Sequence, residues 1–467
     1  MNTTLQIAPL MVSEKFRQQL RTEAQQWHDE GLIDNSLYES LMQRYQLYDL
    51  ENSARNRFIL ILLGLGCVLV GLGAISLVAA NWQAWSVVAR TTTLVSVFLV
   101  VNSMGFYLWQ KGGDSWQHRA GQGLLLLGAL VLGANLGLMS QMFHQSGELY
   151  QLLLVWALGV LVMAYSLNTT FLGVFAAIIG GLGYCFGTPY IYNPGELTGY
   201  QLALQHFPIL TLILLLPLAY WCRSRWLYGL GIWIATIALE VNLIFLAVKL
   251  FDAGVASAAT IFAIATTLTP ALLWAYRSRH HPDFDAVSQS SSIFCLSILF
   301  YLLSFRWLWF SSPNPGLESM TLPDWWVTID AIALLGVTLY YWWRLGWQPG
   351  QIWKLDIASS AIGLALIATA GIVWWNAQAE ALGVIAVAIF NGFLVLLALG
   401  IIRYALVAGT RGGFWWGMLL IVTQILSRML EYNTGLLLKA AVLFACGAIA
   451  IATGFWFERY LRSYQKS

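Results

Sequence analysis

From about residue 58 to residue 457 the chain repeats one pattern: a long apolar run, then a short polar interruption. Each run is close to the roughly 20 residues that an α-helix needs to cross the hydrocarbon of a bilayer. The pattern predicts fourteen spans, at 58–80, 87–109, 121–142, 149–167, 171–186, 207–221, 226–248, 255–276, 292–310, 325–343, 356–375, 382–402, 414–430 and 436–457. The N-terminal segment is patterned differently. Residues 1–12 predict a disordered tail, and residues 13–50 predict a soluble helical hairpin. In the hairpin, Ser13 caps a first helix with Phe16, Leu20, Ala24 and Trp27 along one face, and Gly31 stops it. Ser36 with Glu39 forms a capping box for a second helix, which carries Tyr38, Leu41, Met42 and Tyr45. A hairpin of this size cannot build a core of its own, so it is expected to pack on the membrane domain, on a partner or on a second copy. A short basic tail, 458–467, ends the chain. The expected fold is therefore all-α: a polytopic membrane bundle of about fourteen helices behind a small cytoplasmic helical hairpin.

Composition fits this pattern. The chain is 59% hydrophobic and 10% charged, against about 25% charged in globular proteins, so lipid is the expected solvent and partner of most of its surface. A net charge of +2 leaves no footprint for nucleic acid. Cys67, Cys185, Cys222, Cys295 and Cys446 lie far apart, in or beside apolar runs, which argues against a disulfide framework or a zinc knuckle. The first apolar run follows a long polar segment, so no cleavable signal peptide is expected and that span serves as its own insertion signal.

Charge tests the count. With the N-terminus inside, all of the 24 Lys and Arg residues except Arg90, Lys249, Arg306, Arg428 and Lys439 fall on the cytoplasmic side, as the positive-inside rule requires. Tryptophan prefers the headgroup level, and of the 23 tryptophans only Trp27, Trp156 and Trp233 lie away from a predicted span end. Small residues at four-residue spacing, Gly133 with Gly137 and Gly173 with Ala177 and Gly181, mark close helix contacts within the chain or between two copies.

Polar side chains inside the spans collect in the outer leaflet of this topology. Gln141, His144 and Glu148 sit at the outer mouth of the third span, on one face if its helix continues, with Asn135 deeper in the hydrocarbon. Glu240, beside Asn242, lies just past the middle of the seventh span, Asp330 a turn and a half inside the tenth, and Asn391 in the outer half of the twelfth. Gln424 and Arg428 share a face of the thirteenth, ahead of Glu431. A charged group in the membrane normally faces the bundle interior, a wet cavity or a partner. An outward-facing polar cavity built from Asn135, Gln141, His144, Glu148, Glu240, Asp330, Gln424 and Arg428 is one reading. The other is structural: Arg306 and Lys439 snorkel to the headgroups, Arg428 and Glu431 form an ion pair, and the carboxylates are paired or protonated.

Metal and cofactor chemistry find no support. His144 with Glu148, and the loop holding His280, His281, Asp283 and Asp285, supply too few ligands in a convincing arrangement for zinc. There is no Walker motif, nucleophile elbow or HExxH helix, and the glycines of Gly64–Gly73 follow no strand.

Several stretches carry a resemblance. They are "WHDEGLIDNSLYESLMQRY" (Trp27 to Tyr45), "GLGAISLVAANW" (Gly71 to Trp82), "GANLGLMSQMFHQSGELYQLLLVWALG" (Gly133 to Gly159) and "ERYLR" (Glu458 to Arg462). In order and spacing they resemble a bacterial family of multi-spanning membrane proteins, catalogued as domain of unknown function 2157. Glu148 stands where that family's pattern leads one to expect Asp. The resemblance implies a multi-pass protein of the bacterial cytoplasmic (inner) membrane and brings no activity with it.

Three functions compete. A transporter or binding protein for a polar or lipid-linked solute would use the outer polar groups, with Pro208, Pro217 and Pro270 kinking spans. A scaffold or sensor would dock a protein partner through the hairpin. A membrane enzyme acting on a lipid-linked substrate would need a larger outer domain than the loops 187–206 and 311–324 provide, so no enzyme is favoured. The topology itself is testable. Reporter fusions at both termini should be active only for cytoplasmic placement, and a C-terminus outside the cell would reverse the polar layer.

Overall fold

The computed structural model describes residues 14–45, 69, 84–111, 116–144, 147–191, 198–251, 255–278, 281–310, 325–347, 354–379, 383–432 and 435–464. Among them there is no strand. The helices are α1 (Glu14–Asp29), α2 (Asn35–Arg44), α3 (Val87–Gln110), α4 (Trp116–Met142), α5 (Leu149–Leu167), α6 (Thr170–Gly187), α7 (Gly199–Gln205), α8 (Phe207–Trp221) and α9 (Arg225–Phe251). They continue with α10 (Val255–Ala275), α11 (Pro282–Leu303), α12 (Trp307–Phe310), α13 (Trp325–Gly346), α14 (Ile357–Ala379), α15 (Gly383–Ala408), α16 (Arg411–Glu431) and α17 (Leu436–Tyr464). The expected tail 1–12, Ser13 and the expected span 58–80 lie outside the described residues. The chain divides into two compact units, Met1–Ser96 and Val97–Ser467.

The first unit contains the hairpin. Met42 is buried, with Leu20, Tyr38 and Tyr45 packed around it. Gly31 turns the chain with a φ of +73°, a left-handed value that favours glycine after a helix end. The cap of α2 differs from the expected Ser36–Glu39 box. Asp34 accepts the Leu37 N–H at 3.0 Å and the Ser36 hydroxyl at 2.8 Å, so the cap lies two residues earlier, on a charged acceptor. The Ser36 hydroxyl and the Leu37 N–H hold the Asp34 carboxyl below the usual carboxylate range.

In the second unit and α3, every expected span after the first has its helix. Eleven helices among the described residues are long and apolar enough to cross a membrane, or twelve if a bent pair counts as one span. Of the fourteen expected spans, the first lies outside the described residues apart from residue 69, and two others are not among the eleven. One expected span, 207–221, is the longer limb of that bent pair, α7–α8. Another, α13, has 22 residues but carries Asp330 and Arg344 and is not among the eleven.

The ninth expected span, 292–310, is displaced: α11 starts ten residues earlier, with Pro282 in its first turn, and ends at Leu303. Its serines read as a polar stretch in the sequence, yet Ser288 and Ser292 are satisfied inside the bundle, and exposed Ser290 bonds back to its own helix. Ser288 bonds the Tyr228 hydroxyl at 2.6 Å, Ser290 donates to the Ala286 carbonyl at 2.6 Å, and Ser292 donates to the Pro270 carbonyl at 2.7 Å. Hydrogen bonding of this kind lets serine ride in an apolar helix.

Two packing centres organise the bundle. One gathers buried side chains of α5, α6, α8 and α9, among them Val160, Leu172, Leu218 and Leu227. The other gathers α11, α14, α15 and α16 through Leu296, Leu366, Phe390, Leu394 and Leu420. Helix α10 lies between them and packs against α9, α11, α13 and α14. Trp342 of α13 and Ser292 of α11 both donate to its backbone, at Ala271 and Pro270.

Two of the tryptophans that broke the interfacial pattern are packing residues. Trp233 stands edge-on to Phe294 at 5.3 Å. Trp156 donates its indole N–H to the Ala129 carbonyl of α4 at 2.8 Å and lies over Gly133. A Cβ at Gly133 would meet that ring at 2.3 Å, whereas one at Gly137 would meet only Leu152, at 3.9 Å. Replacing Gly133 by Leu should therefore destabilise the α4–α5 pair by about 1–3 kcal/mol, the range for overpacking, while Gly137→Ala should be near neutral. Thermal unfolding of the solubilised chain checks both.

Candidate functional site

Helices α7 and α8 meet at His206 with a bend of 76°. The cause is local. Pro208 in the first turn of α8 has no N–H to give to Leu204, so one helix cannot run through. The last carbonyls of α7 then need other partners, because the hydrocarbon supplies none. Asn242 of α9 provides them: its Nδ2 donates to the Gln205 carbonyl at 2.8 Å, with the Leu204 carbonyl at 3.5 Å. Tyr184 of α6 aims that amide, with its hydroxyl 2.7 Å from Asn242 Oδ1 and 3.0 Å from the Ala238 carbonyl. The α7 side is tied down as well. Thr198 and Gln201 form a reciprocal capping box, Gln201 Nε2 donates to the Tyr190 carbonyl at 3.3 Å, and Gln205 Nε2 donates to the Ile191 carbonyl at 3.1 Å.

The elbow also holds a carboxylate. Asp330, in the second turn of α13, is 2% exposed and its Oδ1 lies 2.7 Å from His206 Nδ1. The Ile209 backbone N–H of α8 faces the same group. Oδ2 of Asp330 and Oε1 of Gln205 are both buried and make no hydrogen bond of normal geometry among the described residues. Two buried acceptor oxygens at one helix break thus lack a hydrogen bond of normal geometry, with the Ile209 N–H beside the carboxylate.

The other expected residues distribute around this elbow or away from it. Helix α4 ends at Met142, and His144 takes a left-handed φ of 51°, so Gln141, His144 and Glu148 do not share one helix face. Gln141 and His144 are exposed, and Asn135 is buried within α4. Glu148 precedes α5 as its N-cap residue and accepts the Tyr190 hydroxyl at 2.8 Å, which links it to the carbonyl that Gln201 holds. Glu240, mostly buried on α9, accepts the Thr269 hydroxyl of α10 at 2.7 Å.

Gln424 and Arg428 belong to a separate group at the ends of α11 and α16. Gln424 Nε2 donates to Asn391 at both its carbonyl and its side-chain oxygen, 3.0 Å each. Arg428 pairs with Glu431 and donates to the Ser304 carbonyl at 2.6 Å, and Glu431 also accepts the Arg306 N–H at 2.6 Å. The ion-pair reading of Arg428 and Glu431 is thus the one observed.

These features, apolar spans with polar groups satisfied from within, define a polytopic α-helical membrane protein. Residues 25–173 match the model of a family described as predicted membrane proteins, DUF2157, which is the family the sequence resembles. The match takes in Asn135, Gln141, His144 and Glu148 and stops short of Glu240, Asp330, Gln424 and Arg428. No curated protein and no solved structure shows a significant match.

The sequence left His206, Gln205, Tyr184 and Tyr190 unnoticed. The one available signal was the histidine directly ahead of "FP" at the start of an apolar run; a proline there announces a helix start. Replacing Asn242 by Leu strands the Leu204 and Gln205 carbonyls and should lower stability by about 1–3 kcal/mol. Tyr184→Phe only loosens the amide and should cost less, about 0.5–1.5 kcal/mol. Thermal unfolding in detergent ranks the two; an Asn242→Leu variant as stable as the wild type would show that the elbow does not depend on this clamp.

Proposed function

We propose that this chain binds a polar solute at the α7–α8 elbow, as a transporter would. What supports the reading is the pair of buried oxygens that lack a hydrogen bond of normal geometry, Asp330 Oδ2 and Gln205 Oε1. Both are acceptors, so the solute presents hydrogen-bond donors or a positive charge. Broken helices are where transporters commonly hold ions and solutes. In this reading Asp330 supplies the charge and His206 positions it, while Glu240 is a second carboxylate on α9, the helix that carries Asn242. Gln141, His144 and Glu148 lie toward the mouth that the charge bias assigns to the outside.

The test uses the full chain in nanodiscs, with thermal unfolding followed against sodium chloride, potassium chloride and ethanolammonium chloride at constant ionic strength. At least one cation should raise the wild-type midpoint, and Asp330→Asn should weaken that response about tenfold or more in apparent affinity. A wild type indifferent to all three, or an Asp330→Asn variant with the full response, would overturn the reading.

One observation favours a second function. Leu32 and Leu37 of the hairpin are 69% and 49% exposed, more apolar surface than so small a unit needs to show. A partner-docking hairpin accounts for them. Deleting residues 1–50 separates the two readings: a solute-binding bundle keeps its cation response, and a scaffold loses its protein partner.

A further inference from the structure

Arg428 stands in the last turn of α16 with 15% of its side chain exposed. Its Nη1 is fully engaged, by Glu431 and by the Ser304 carbonyl. One face of the guanidinium is covered, with Cζ 4.2 Å from the centre of the Phe305 ring. What remains is the edge formed by Nε and Nη2. Both atoms are buried, and neither has a hydrogen-bond partner among the described residues. Covalent geometry points these two N–H groups the same way, so the edge is a ready fork for two oxygens of one oxyanion. Glu431 does not fill it, because Oε2 already meets Nη1 and Oε1 accepts the Arg306 N–H. A buried charged donor without an acceptor is costly, which makes the edge selective for a ligand that brings its own pair of oxygens.

The surroundings indicate which oxyanion. The edge lies where α11 and α16 end and the short α12 begins, the level at which Trp and Arg meet lipid headgroups. Trp307 there is 59% exposed, and Trp309 is anchored by its N–H on the Leu303 carbonyl and stacks on Phe390 at 5.6 Å. Exposed Arg306 adds a positive charge beside the pair. We infer that the Nε–Nη2 edge of Arg428 is a binding site for a phosphate oxyanion, such as the phosphodiester of a membrane lipid. The site is independent of the elbow: it uses donors where the elbow offers acceptors, and it shares no residue with it.

The experiment takes the full chain in an uncharged maltoside detergent. Thermal unfolding is followed against dihexanoylphosphatidylglycerol, inorganic phosphate and acetate at constant ionic strength. The phosphate-bearing probes should raise the midpoint and acetate should not. Arg428→Lys keeps the charge but lacks the two-donor edge, and should weaken the apparent affinity by about tenfold. Glu431→Gln leaves Arg428 without its neutralising partner and should strengthen binding several-fold, whereas a purely structural ion pair predicts lower stability with no gain in binding. Because the Glu431 arm asks for a gain, it decides the matter even if Arg428→Lys fails to fold. The lipid acting at lower concentration than inorganic phosphate assigns the headgroup as the source, and the reverse order assigns the free anion. No phosphate response in the wild type, an equal response to acetate, an undiminished response in Arg428→Lys, or no gain in Glu431→Gln would overturn the site.

Discussion

A backbone carbonyl released inside a membrane has no water to turn to, and the Asn242 amide on the Gln205 carbonyl is this protein's answer at its sharpest bend. Without that bond the 76° break between α7 and α8 would leave the end of α7 unsatisfied in an apolar setting. The clamp needs three helices at once. Helix α6 brings the Tyr184 hydroxyl that orients the amide, α9 brings the amide, and α13 brings Asp330 to the His206 ring on the other side of the break. The packing of α6, α8 and α9 around Leu172, Leu218 and Leu227 therefore fixes more than an apolar core. It holds donors and acceptors in register along the elbow.

Side-chain bonds from neighbouring helices recur near other interruptions. Pro270 removes the N–H that would meet the Thr266 carbonyl of α10, and neighbouring helices bond α10 one turn further on, from Ser292 to the Pro270 carbonyl and from Trp342 to the Ala271 carbonyl. The end of α11 is treated in the same way. Its Ser304 carbonyl accepts from Arg428 at 2.6 Å and from Asn391 at 3.3 Å, so two other helices close it. Each break thereby becomes a cross-link between helices. Interruptions that would weaken an isolated helix stitch this bundle together, which is why prolines and serines in apolar runs do not stop them from being spans.

The helices themselves were legible because their signal is local. About twenty consecutive apolar residues announce a span without reference to anything else in the chain, and α5, α6, α8 and α10 begin and end within one residue of expectation. What was not legible is the pairing. His206 and Asp330 are 124 residues apart, and so are Arg428 and Ser304; Tyr184 and Asn242 are 58 apart. No periodicity encodes such partners. The start of α11 was missed for a related reason: serines at 288, 290 and 291 look like a polar loop until Ser288 is seen to bond the Tyr228 hydroxyl. His144 shows the reverse error. Its spacing from Gln141 and Glu148 matters only on a continuous helix, and the chain leaves the helix at Met142.

Spacing along the chain alone places Asp330 and Arg428 in one polar layer, and their hydrogen bonds divide that layer by sign. At the elbow the donors are used up first. The amides of Asn242 and Gln205 are committed to backbone carbonyls, and the residue left over is a carboxylate and an amide oxygen. Near the end of α16 the acceptors are used up first. Glu431 and the Ser304 carbonyl are occupied, and the residue left over is one edge of a guanidinium. Groups left over in this way are costly in proportion to their burial, so on the proposed reading each end would take a ligand of the opposite character. A single solute spanning both would have to carry a cationic or donor group and an oxyanion at the separation of the two clusters. Two independent ligands meet the same demand without that restriction, and the absence of any shared side chain between the elbow and the Arg428 edge favours them.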